Sequence, residues 1–116
     1  MKTESAYISF YLKSGGILIF KSSIERLNCP EYIKFMVHQS GKSMLMIPYD
    51  KKCLTSFKTS KRTWKTGKSI IVHSKKFCEI LAHRLGWDMD YSYRVPGRFD
   101  SSLGAVVFDL TKALEI

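Results

Sequence analysis

The chain has no Cys-x-x-Cys pair, no apolar run long enough to cross a bilayer and, between Lys51 and Cys78, no acidic residue. Each shortage removes a class of explanation. Its three cysteines, Cys29, Cys53 and Cys78, are an odd number scattered through 116 residues. That argues against a disulfide framework or a thiolate zinc site and fits free thiols in a reducing compartment. Runs such as Gly16–Phe20 and Met44–Ile47 fall far short of the roughly 20 apolar residues of a membrane span. Met1–Ala6 is polar with no apolar segment following it as in a secretory signal. These readings point to a cytoplasmic protein with no membrane partner.

The missing acids matter because of what stands in their place. From Lys51 to Cys78 there are nine lysines and arginines in 28 residues, while the rest of the chain carries ten basic and ten acidic side chains. The whole formal charge of +9 therefore sits in one segment. Such polarisation steers anionic partners toward one surface. Within it, Lys58, Lys61, Arg62, Lys65 and Lys68 surround Trp64, and Lys51 and Lys52 lie just upstream. Cations of this kind pair with phosphates, and an exposed indole can stack on a base; the alternative is that Trp64 belongs to the core and the lysines are merely solvated. A second candidate is Tyr91-Ser-Tyr93-Arg94-Val-Pro96-Gly97-Arg98, read as a Pro-Gly turn flanked by arginines whose planar forks suit phosphates or guanine edges.

Other chemistry finds little footing. The Gly-Lys-Ser tripeptides at 41–43 and 67–69 lack the upstream glycine of a P-loop, which would fall at Met36 and Arg62, and each precedes a strand. Cys78 and His83 are five apart, off a common helical face, and Cys29, Cys53, His38 and His73 have no ligand spacing, so neither metal nor cofactor is expected. No acid–base or nucleophile pattern is present, and the reading is of a binding protein, not an enzyme. A nuclease working through Lys, Arg and His is a third possibility.

The length suits one domain, 1–116. Tyr7–Leu12 and Ile17–Phe20 read as a hairpin across Ser14-Gly15-Gly16. Ser22 or Ser23 would cap a short helix ended by Cys29-Pro30. Tyr32–Val37 and Ser43–Tyr49 read as a second hairpin, and residues 51–68 as a basic connector anchored by Leu54, Phe57 and Trp64. Ser69–Val72 is a strand. Ser74 caps a helix at Lys75–Leu85, with Phe77, Ile80, Leu81 and Leu85 as its apolar stripe and Gly86 closing it. Asp90–Val95 is extended, Pro96–Ser102 is a turn, Leu103–Leu110 is a strand, and the last six residues are a short tail. The fold class is α+β: mainly antiparallel strands, barrel-like, with two short helices. The order strand, helix, hairpin occurs twice, at about 16–50 and 67–110, so a pseudo-repeated single domain is expected.

A strand, a short helix and a hairpin resemble the AbrB-type swapped-hairpin β-barrel DNA-binding domain. The stretch Gly16-Ile-Leu-Ile-Phe-Lys-Ser-Ser-Ile-Glu-Arg-Leu27 is similar to that family's strand-to-helix junction, and Met44-Leu-Met-Ile-Pro48 to its closing strand. The family usually has a basic residue after the glycine and a proline at the helix, where this chain has Ile17 and Lys21; in the second unit Lys68 follows Gly67, but His73 holds the proline position. The resemblance implies a barrel made by one chain with internal pseudo-symmetry, or by a homodimer, and a DNA-binding regulator of bacterial or phage type. The alternative partner is an acidic protein or ribonucleoprotein engaged by a phage-type inhibitor, as anti-CRISPR proteins are.

Overall fold

The computed structural model describes residues 6–28, 30–52, 56–59 and 69–116. Its strands are β1 (Ala6–Tyr11), β2 (Gly16–Phe20), β3 (Tyr32–Val37), β4 (Ser43–Tyr49), β5 (Ser56–Lys58), β6 (Ser69–His73), β7 (Ser92–Asp100), β8 (Ala105–Asp109) and β9 (Leu114–Glu115). Helix α1 spans Lys21–Arg26, helix α2 spans Lys75–Leu85, and Leu110–Lys112 is a single 3-10 turn. The strands make one antiparallel sheet in the order β5-β3-β4-β8-β7-β1-β2-β6, with β9 added beside β7. The sheet curls into a nearly closed barrel whose two edge strands, β5 and β6, follow one another in sequence.

The period-2 alternation of the strands determines what is inside. Ile8 and Phe10 of β1, Ile17 and Ile19 of β2, Ile33 and Phe35 of β3, and Met44 and Met46 of β4 are all buried. Ile70 and Val72, Tyr93 and Val95, and Val106 and Phe108 continue that interior around the barrel. From α2, Phe77 meets the rings of Phe10, Phe35 and Phe57 at centroid distances of 6.5, 5.6 and 6.4 Å. One helical side chain thus joins the neighbouring strands β3 and β5 to β1, which lies on the other side of the barrel in the sheet order.

Helix α2 starts and stops where its chemistry requires. Ser74 Oγ accepts from the Phe77 amide at 3.1 Å, and Gly86 closes the helix at φ +69°. Both ends are tied to hairpin tips: Lys75 Nζ donates to the carbonyls of Leu12 and Lys13, and Arg84 to those of His38 and Gln39. The buried arc of α2 includes Cys78, Leu81 and Ala82. Ile80 is 54% exposed and does not belong to the stripe; at 3.6 residues per turn it lies about 150° from the centre of that arc.

Four further expectations are corrected. Helix α1 begins at Lys21 directly after β2, with no side-chain cap, and Ser23 is buried inside it with its hydroxyl unpartnered among the described residues. The early start lets Ile24 and Leu27 reach the core, and Asn28 at φ +62° turns the chain out. Pro96-Gly97 is not a turn: β7 runs straight through it, and the turn is Ser101–Gly104. Proline is tolerated because β7 pairs with β9 at Tyr93–Arg94 and with β8 only from Gly97, so Pro96 sits where its outer neighbour changes. Glycine is required next to it, since a Cβ at 97 would lie 2.5 Å from Phe108 Cδ1 and 2.8 Å from the Val107 carbonyl. Finally, β5 lies inside the segment read as a connector, and β9 inside the segment read as a tail. No helix among the described residues is long and apolar enough to cross a membrane.

Candidate nucleic-acid interface

On β3 the residues that alternate with buried Ile33 and Phe35 are Tyr32, Lys34 and Met36, so these face outward. Register then assembles a patch no single segment contains. Tyr32 lies opposite Tyr49 on β4 and opposite Lys58 on β5; Lys34 lies opposite Ile47 and Ser56. Directly opposed residues are about 5 Å apart. The Lys34 ammonium stands 4.9 Å from the centroid of the Tyr49 ring, a cation–π contact. Two half-exposed tyrosines side by side, flanked by lysines, form a surface on which bases can stack while cations meet phosphates.

The basic segment enters this face. Lys51, Lys52 and Lys58 are exposed, and the Lys51 carbonyl accepts from Ser56 Oγ at 3.0 Å. Thr59 is buried beyond β5; its hydroxyl donates to the carbonyls of Pro30 and Glu31 and its amide to Glu31 at 2.9 Å. These bonds fix the end of β5 against the residues leading into β3. Phe57 packs against the core, as the sequence indicates. Lys61, Arg62, Trp64, Lys65 and Lys68, together with Leu54, Cys29 and Cys53, lie outside the described residues.

Arg94 and Arg98 do not flank a hairpin tip. Both project from the outward face of β7, four residues or roughly 13 Å apart along the strand. The structure gives them different neighbours. Arg94 Nε donates to Ser9 Oγ at 3.4 Å across the β1·β7 pair, whereas Arg98 lies opposite Val107 and is exposed. The Ser102 hydroxyl bonded to Asp100 is the main reason that carboxyl lies below its ordinary value; against the opposing effect of burial, the Leu103 and Ser102 amides and then Arg98 act in the same direction. Asp109 is lowered in the same direction, chiefly by the Thr111 hydroxyl and then by the Thr111 amide and Lys112, against the opposing effect of burial.

Burial pushes the Cys78 thiol up to about 11, with Lys75 offsetting part of the effect, so it stays protonated at neutral pH. No three His, Cys, Asp or Glu side chains converge to hold a metal ion among the described residues. Asp88 caps a local turn, accepting from the Asp90 amide at 2.9 Å. Sequence reasoning missed Tyr32, Lys34 and Tyr49; the signal was the alternation along β3 and β4, but their meeting with Lys58 depends on the register of β5. No protein-family model matches the chain, and no curated protein or solved structure matches it either.

Proposed function

We propose that this protein binds nucleic acid without catalysis, duplex DNA being the first partner to try, through the outward face of β5–β3–β4 and the basic segment continuous with it. The observation that carries this reading is the register of Lys58, Tyr32 and Tyr49 beside Lys34, at the end of β5 from which the most basic stretch of sequence continues. Phosphate contacts would supply affinity and the tyrosines a stacking surface.

The AbrB-type reading, with an internal duplication, belongs to this proposal. Exchange β1 with β5, β2 with β6, β3 with β7 and β4 with β8. Then β1·β7 and β3·β5 interchange, as do β3·β4 and β7·β8, while β2·β6 and β4·β8 each fall on themselves; only β1·β2 has no observed counterpart. Its counterpart would be β5·β6, across the seam of the barrel. The same exchange carries α1, after β2, onto α2, after β6. One chain would thus supply what two supply in a swapped-hairpin dimer, and light scattering should give a monomer's mass.

The test is a salt titration of binding to random duplex DNA and to single-stranded RNA. Five to seven phosphate contacts would give a log–log slope of about −5 to −6 on duplex DNA. Reversing Lys61, Arg62 and Lys65 to glutamate should abolish binding and leave the fold intact; unchanged binding would remove the basic segment from the interface. A second reading, docking on an acidic protein or ribonucleoprotein, is favoured by one feature: Met36, 47% exposed, continues into Leu45 and Val107 across the same outer surface. Tight binding to a protein with no nucleic acid present would support it.

A further inference from the structure

Where β8 ends, β7 loses a neighbour. Ser43 and Asp109 are opposed on β4 and β8, after which the chain leaves the sheet in the 3-10 turn, its Leu110 amide bonded to the Lys42 carbonyl at 2.9 Å. Beside this departure β7 presents Pro96, which has no N–H to leave orphaned. The divergence opens a groove of about 640 Å³ on the outer surface. Pro96 and Val107 give it an apolar lining, and Lys42, Arg98 and Lys112 bring three cations to it against one carboxylate, that of Asp109.

Asp109 is already engaged. Its Oδ1 accepts from the Thr111 amide at 3.0 Å and from the Thr111 hydroxyl, and its Oδ2 lies 3.9 Å from Lys112 Nζ. Asp100, nearby on β7, likewise gives its Oδ1 to the Ser102 and Leu103 amides and the Ser102 hydroxyl. The groove therefore keeps an excess of two positive charges over its own carboxylate. A phosphate monoester, carrying between about −1.5 and −2 at pH 7, matches that excess, and a diester with a single charge does not. The arginine fork and two ammonium groups suit three terminal oxygens, the apolar lining can take the group that bears them, and the volume suits a small ligand rather than a duplex.

We propose that this groove is a binding site for a phosphate monoester, either the terminal phosphate of a nucleic-acid strand or a small phosphorylated molecule. Ser43 of β4 borders the groove, but the site shares no residue with the Tyr32, Lys34, Tyr49 and Lys58 patch, and the proposal stands whether or not that patch binds nucleic acid. The test is an NMR titration of the whole chain with inorganic phosphate, followed by dimethyl phosphate at matched ionic strength. Inorganic phosphate should shift the amides of Arg98, Thr111 and Lys112 saturably, with dimethyl phosphate several-fold weaker. The paired change Arg98→Gln and Lys112→Gln should abolish the response. Asp109→Asn keeps an acceptor oxygen for Thr111 and should tighten phosphate binding several-fold, a gain that a merely structural Asp109 would not give. Equal response to both probes, no saturable shift, or weaker binding by Asp109→Asn would overturn the proposal. Tighter binding of a 5′-phosphorylated oligonucleotide than of its unphosphorylated twin assigns the ligand to strand ends; equal binding of the two, with inorganic phosphate still bound, assigns it to small phosphorylated molecules.

Discussion

The outer surface of the barrel has two faces built by the same alternation and carrying different chemistry. On β5–β3–β4 the outward residues include Lys58, Tyr32, Tyr49 and Lys34. On β7–β1–β2–β6 one row across the strands reads Arg94, Ser9, Leu18 and Ile71, and a parallel row places Pro96 beside Tyr7, whose ring lies 6.0 Å from that of Phe20. There the arginine is bonded to buried Ser9, and Ile71 is 54% exposed. Inward residues are constrained by the core on both faces; outward ones are not. Folding alone leaves much of the difference between the faces open, and the proposed binding rests on the rings and cations of the first.

Charge should separate the two faces most severely. Lys34→Glu with Lys58→Glu should weaken duplex binding by roughly one to two orders of magnitude at low salt and make the log–log salt slope shallower by about 2. Arg94→Gln on the other face should change neither. An equal loss from both would mean that the faces act as one diffuse cation.

Next in size is the joint between the faces. Gly97→Ala forces Phe108 or the β8 backbone to shift and should cost about 1–3 kcal/mol in urea unfolding. Full stability would show that β7 and β8 leave room for a methyl group at this position. Tyr32→Ala and Tyr49→Ala should each weaken binding to single-stranded RNA by about 1–3 kcal/mol if a base stacks there, and affect duplex binding less. Equal losses on the two nucleic acids would assign the rings to shape and not to stacking.

A smaller effect is expected in acid. Asp100 and Asp109 have folded values below their ordinary 3.8, so the stability they lend is present above that value and fades as pH falls through the lower folded values. Both are solvent-exposed, and Asp100→Asn with Asp109→Asn should flatten only a slight acid slope in the unfolding midpoint. Smallest of all, Ile71→Thr should leave nucleic-acid affinity unchanged and stability within about 0.5 kcal/mol. A marked gain in solubility or a change in oligomeric state would show instead that this face is covered in solution.

Much of the fold was legible because local chemistry and tertiary demand agree. Tyr32–Val37, Ser43–Tyr49 and Lys75–Leu85, with Ser74 before it and Gly86 after it, form the elements their patterns indicate. The failures came where a neighbour decided. Pro96-Gly97 carries a turn signal, but a proline where the outer neighbour changes and a glycine under a phenylalanine also fit a continuous strand. β5 is three residues in a lysine-rich stretch, and its pairing with β3 is not written in its own alternation. The candidate interface was legible as charge at Lys51, Lys52 and Lys58. It was not legible as a surface, because Tyr32 and Tyr49 reach Lys58 only through register between strands distant in sequence.

The strand order makes the chain two interlocked pieces. Of the residues before the basic segment, the β1·β2 and β3·β4 hairpins do not touch through the sheet; β6, β7, β8 and β5, all later in sequence, lie between or beside them. Isolated two-stranded hairpins are marginal in water, and in the first piece only the three-residue β5 widens one of them. Severed between Thr59 and Ser69, the protein should become a split reporter, two fragments silent apart and complementing one another on mixing.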